Sequence, residues 1–133
     1  MKEITLDAVV ENIPVVTEFV DRELEKAGCP LRAKTQIDIA IDEMFGNIAH
    51  YAYETGIGKA TVRLELEDGM ATLVFLDQGV PYNPLENEEP DVTLSAEERR
   101  IGGLGIFMVK KTMDEIMYDY HDGWNMLTLR KRF

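Results

Sequence analysis

Glu43 and Asn47 stand four residues apart in the segment IDEMFGNIAHYAY, residues 41–53. On a helix that spacing puts both side chains on one flank, one turn above the other. A carboxamide oxygen can coordinate a hard cation, and a carboxylate beside it can orient or deprotonate a nucleophile. The flank borders an apolar stripe of Ile37, Ala40, Ile41, Met44 and Ile48, as a pocket rim would. An isolated E-x-x-x-N is more often a solvated helix face, and the pair alone does not define a site.

A second group is DQGVPYNP, residues 77–84, which follows the apolar run Ala71–Leu76. Asp77, at the end of a buried strand, is expected at the sheet's edge with its carboxylate free to accept. An adenine's exocyclic amine is a donor that such a carboxylate reads. Gly79 allows backbone to approach a flat ligand, and Pro81 stiffens the exit. The same residue types also build a plain turn. A third group is GGLGIFMVKKTMDE, residues 102–115, where glycines at 102, 103 and 105 lead into a helical pattern. Unpaired amides and the dipole at a helix start attract phosphate, and glycines let it come close. A glycine-rich helix start without a ligand reads the same way. Residue 108 is Met where a dinucleotide fingerprint needs glycine, and the G-K-[ST] ending of a Walker loop is missing.

The elements that must carry these groups follow from periodicity. Glu3–Leu6 is a short strand. Ile13, Val16, Phe19, Val20 and Leu24 predict a helix over Asn12–Ala27 with Gly28 as its stop, and a longer helix is expected over about Leu31–Tyr53. Val62, Leu64 and Leu66 alternate with Arg63 and Glu65, Asp68-Gly69 turns the chain, and Ala71–Leu76 returns as a central strand. A third helix is expected from near Gly103 to about Met113. A last hairpin runs through Glu115–Tyr120, the turn His121-Asp122-Gly123 and Trp124–Arg130. This is an α+β fold, a two-layer sandwich with helices on one face of a mixed, mostly antiparallel sheet. Residues 83–101 interrupt it, with Pro84, Pro90 and, from Asn83 to Glu98, six acidic and no basic residues. They read as a solvated loop or as a lid, and Ser95 with Glu98 is a candidate capping box inside them.

At 133 residues the chain has the length of one domain with one core. Its 25 acidic against 14 basic residues, a formal net charge of −11, argue against a nucleic-acid partner. The single cysteine, Cys29, excludes an internal disulfide and reads as a structural turn residue. No apolar stretch is long enough to span a membrane, and Met1-Lys2-Glu3-Ile4 lacks the regions of a signal peptide, so a cytoplasmic location is expected.

Taken in order, an E-x-x-x-N helix, a strand ending in D-x-G-x-P, a lid-like loop and G-x-G opening a helix resemble the GHKL superfamily of ATP-binding domains. Within it, NIAHYAY, DQGVPYNP and GGLGIFMVKKTMDEIMY look most like the anti-sigma factor serine/threonine kinases. The resemblance covers essentially the whole chain and implies the Bergerat sandwich as one domain, 1–133, with residues 83–101 as the ATP lid. By position, it implies that Asn47 holds Mg2+, that Glu43 is the base, and that Asp77 and Gly79 bind adenine. Gly103, Leu104 and Gly105 would cradle the phosphates with backbone amides. Many relatives have a Gly-Thr pair whose Thr supports the adenine-binding Asp; the matching stretch here is Trp124-Asn125, so Asn125 substitutes or water mediates that contact. The implied activity is phosphorylation of a serine on a STAS-domain anti-sigma factor antagonist, and many such proteins also sequester a sigma factor. Relatives commonly form homodimers, although no stripe here demonstrates one. A nucleotide-dependent binding module that transfers nothing is the alternative. A histidine-kinase fragment fits less well, because no helix is expected before Glu3 to present a phosphoacceptor, and His50 is expected to pack beside the long helix.

Overall fold

Val16, Val20 and Leu24 recur at intervals of four and lie fully buried on α1 (Ile13–Lys26), the stripe that the spacing predicts. In the computed structural model, which describes residues 1–86 and 103–133 (the side chains of 103 and 104 excepted), this helix ends in a Schellman motif. Gly28 takes a left-handed φ of 75°, its N–H donates to the Glu25 carbonyl, and the Cys29 N–H donates to the Leu24 carbonyl. Pro30, in extended conformation, then starts α2 (Leu31–Asn47), which buries Ile37, Ala40, Ile41, Met44 and Phe45. Regular α-helix stops at Asn47 rather than near Tyr53. The chain continues as a π-helical turn over Ile48–Ala52, a local widening that often marks a functional site.

Five strands form one sheet: β1 (Lys2–Asp7), β2 (Lys59–Glu67), β3 (Met70–Asp77), β4 (Glu115–His121) and β5 (Trp124–Arg132). Their order is β1-β2-β3-β5-β4, and all four pairings are antiparallel, so the expected mixed character is absent among the described residues. Both hairpins close with two left-handed residues, Asp68-Gly69 and Asp122-Gly123, the Asp-Gly signature of a type I′ turn. α3 (Gly103–Thr112) completes the helix layer, with Ile106 and Val109 buried. Ser95, Glu98 and all but residues 83–86 of the expected lid lie outside the described residues.

The inner face of the sheet consists of matched rows. Leu64 pairs with Leu73 and Leu73 with Leu129; the next row is Val62, Phe75 and Leu127. All six are buried against the helices. The row after that is Ala60, Asp77 and Asn125, so the apolar core passes directly into two buried polar side chains. A slip of one residue would turn both to the opposite face.

Candidate functional site

α2 presents Glu43 half-buried at the helix–helix boundary. Burial, and then the neighbouring charge of Asp42, pushes its carboxyl up to about 7, against a smaller downward pull from Asn47. Glu43 Oε1 and Asn47 Nδ2 are both buried; neither makes a hydrogen bond of normal geometry among the described residues, although Asn47 lies close enough to favour the charged form of the carboxyl. Two neighbouring polar groups withdrawn from water, with no well-formed bond to satisfy them, fit a polar ligand. A carboxyl near neutrality is also well suited to take up and release a proton. α3 meets this point through Gly105, where an added Cβ would lie 2.0 Å from Glu43 Oε2 and 2.4 Å from its Cδ. A side chain here would push the Glu43 carboxylate off its place, a role of this glycine that the glycine run in the sequence does not reveal.

Asp77 closes the central strand, as expected, and is 4% exposed. Its Oδ1 accepts from the Gly79 N–H at 2.9 Å and from Asn125 Nδ2 at 2.9 Å, so only part of the carboxylate is left for a ligand. Burial raises its pKa, and these two donors work in the opposite direction. Asn125 thus contacts Asp77 directly, which answers the open alternative of a water-mediated link. Its amide also donates to the Val80 carbonyl at 2.9 Å, while its oxygen accepts from the Tyr82 N–H at 3.2 Å and from the Tyr118 hydroxyl.

The loop after Asp77 is braced from the opposite side by the π-helical turn. The Val80 N–H donates to the Ala52 carbonyl at 2.8 Å, and a Cβ on Gly79 would lie 2.1 Å from that same oxygen. Gly79 is therefore demanded by the protein's own backbone. Tyr53, immediately after the turn, accepts from the Gln78 N–H at 3.0 Å and donates to the Lys59 carbonyl at 2.5 Å. None of these supports was expected from sequence. The Y-A-Y run and the inward alternation of Ile116 and Tyr118 on β4 were the available signals.

Between these groups lies a pocket with an apolar wall, including Met44, Ile48, Phe75 and Leu127, that also exposes Asn47 and Asp77. Apolar walls with a few convergent polar groups are the usual make-up of a small-molecule site. The structure thus brings Asn47, Asp77 and Asn125 to one pocket and Glu43 to Gly105. Gly103 and Leu104 contribute the start of α3. His50, expected to pack beside the long helix, is exposed, with its ring 6.0 Å from that of Tyr51. Among the described residues no cluster of three or more His, Cys, Asp or Glu could hold a metal ion. A cation here would need ligands supplied by what it arrives with, as Mg2+ does with phosphates. No described helix is long and apolar enough to cross a membrane.

A model of the histidine kinase-like ATPase domain matches residues 6–131, and the chain belongs to that family. It is similar to the serine/threonine-protein kinase BtrW of Bordetella bronchiseptica, with 29% identity over 100 residues, covering 74% of this chain and 70% of that protein. It is similar also to the serine-protein kinase RsbW of Bacillus mycoides, with 23% identity over 129 residues, covering 94% and 81%. Among solved structures, the histidine kinase AdeS of Acinetobacter baumannii superposes with a TM-score of 0.50 at 15% identity, over 99% of this chain and 68% of that one. That likeness concerns the fold alone, and it agrees with the α+β sandwich expected from the hydrophobic periods.

Proposed function

We propose that this chain is a Mg-ATP-dependent serine/threonine protein kinase acting on a STAS-domain anti-sigma factor antagonist. The observation that carries the reading is the buried pair of Glu43 Oε1 and Asn47 Nδ2, neither in a well-formed hydrogen bond, with Asn47 lining the same pocket as Asp77. The names of BtrW and RsbW support a protein kinase of the serine class. Asp77, held by Asn125 and flanked by Gly79, accepts the exocyclic amine of adenine. The backbone amides at Gly103, Leu104 and Gly105 hold the phosphates at the start of α3. Asn47 would ligate Mg2+, which when bound neutralises phosphate charge and aligns the transferring group. Glu43 orients the acceptor serine and takes its proton as the serine oxygen bonds to the γ-phosphorus and ADP leaves.

The same reading keeps 1–133 as one domain covered by residues 83–101, with no direct nucleic-acid or membrane contact. It includes a cytoplasmic location, a homodimer, and sequestration of a sigma factor. A single-turnover assay with labelled ATP and a cognate STAS partner tests it. Label on a partner serine is the expected result. Nucleotide-dependent complex formation with no labelled serine would replace the kinase by a binding module of the same fold.

A further inference from the structure

Tyr118 enters neither the sequence motifs nor the reaction just described, yet it lines the pocket and bonds to the residue that holds Asp77. All four hydrogen-bonding positions of the Asn125 amide are in use. Its two hydrogens go to Asp77 Oδ1 and the Val80 carbonyl, and its oxygen takes the Tyr82 N–H and the Tyr118 hydroxyl. The amide cannot flip without setting its oxygen against a carboxylate and a carbonyl. The Tyr118 hydroxyl is itself held, because the Tyr82 backbone N–H also stabilises its oxygen. On Asp77, Gly79 and Asn125 both bond Oδ1, and among the described residues no donor reaches Oδ2.

We propose that Tyr118 is a positioning residue for purine recognition, acting through Asn125 to aim Asp77 Oδ2 at an exocyclic amine. This rests on the reading of the pocket as the ATP site. The hydroxyl polarises the Asn125 amide and strengthens its donation to Asp77, since bonds in series reinforce one another. Without it, the Asn125 oxygen keeps only the longer contact to Tyr82, and the amide can tilt away from the carboxylate. The effect is selective by chemistry. A purine with an amine at the reading position depends on Asp77 as an acceptor, whereas inosine triphosphate carries a carbonyl there, which has no hydrogen to donate to Asp77.

Tyr118→Phe removes the hydroxyl and keeps the ring. Calorimetry should show ATP binding weakened about 2- to 10-fold, the scale of one buried neutral hydrogen bond, with inosine triphosphate unchanged. In an Asn125→Ala background the same substitution should cost nothing further. Equal losses for both nucleotides would make Tyr118 a mere wall of the pocket, and no loss for either would also overturn the proposal. A second measurement is independent of nucleotide: titration of the Asp77 carboxyl by NMR in the ligand-free protein. Tyr53 and Tyr118, the titratable groups that face Asp77, are both pushed above the ordinary tyrosine range and stay neutral over the titration. Tyr118→Phe weakens a donor to the ionised form, so the Asp77 midpoint should move up, and an unmoved midpoint would overturn the positioning role. If wild type binds neither nucleotide, the ATP-site reading fails, while this titration still decides whether Tyr118 acts on Asp77.

Discussion

Glu43→Gln separates catalysis from folding, and the structure assigns the two effects opposite signs. The carboxyl lies at about 7 in the folded protein against 4.5 for the free group. Below pH 4.5 it is neutral whether folded or unfolded, and stability is unaffected. As pH rises from 4.5 through 7, the unfolded chain ionises first, so folding must either retain the proton or bury the charge, and stability falls. The full difference between 4.5 and about 7 sets an upper bound of about 3.4 kcal/mol. For a half-exposed group, screening by solvent reduces this to about 1–2 kcal/mol. Glutamine keeps the shape and carries no charge, so the variant should melt higher than wild type by about 3–8 °C at pH 8, converging with it near pH 4.5. Asp38, raised to about 7 by burial and by Asp21, imposes a similar slope on both proteins, so the difference between them isolates Glu43. Thermal unfolding without nucleotide, measured across that pH range, is the assay. Phosphate transfer to the partner should meanwhile fall by roughly 10²-fold or more, with ATP affinity little changed. A variant that is no more stable than wild type at pH 8 would refute the burial argument, and unchanged transfer would refute Glu43 as the base.

Further outcomes follow from the same geometry. Gly79→Ala should destabilise by at least about 2 kcal/mol, because the new methyl meets the backbone oxygen of Ala52 at 2.1 Å; a melting temperature within a degree of wild type would contradict this packing. Gly105→Ala meets the end of the Glu43 side chain at 2.0 Å, which can swing aside, so unfolding should change by only about 1 kcal/mol while transfer drops with the displaced carboxylate. Asp77→Ala should abolish most adenine-nucleotide heat in calorimetry, and Asn47→Ala should flatten its Mg2+ dependence; wild-type behaviour in both would remove the nucleotide site.

Much of the architecture is decided by residues close together in the chain. Period-four apolar spacing defines α1, Gly28 stops it because only glycine readily takes a φ of 75°, and two Asp-Gly pairs turn the hairpins. The inner row of β2 can be read from alternation, and Asp77 from its place at the end of an apolar run, but that continuous run does not say which side chains of β3 face the helices. The bond between Asp77 and Asn125 joins residues 48 positions apart, and it depends on the register in which β5 meets β3. Local periodicity fixes which face a side chain takes, and pairing across the sheet decides what stands beside it. The π-helical turn is likewise not local: nothing in Ile48–Ala52 specifies the extra residue per turn, which places the Ala52 carbonyl on Val80 and makes Gly79 obligatory. A glycine before a helix reads as a phosphate contact from sequence, yet only packing shows Gly105 lying on Glu43. Desolvation that lifts a carboxyl to about 7 is a property of the assembled layers, since an exposed helix with the same E-x-x-x-N would leave the glutamate in water.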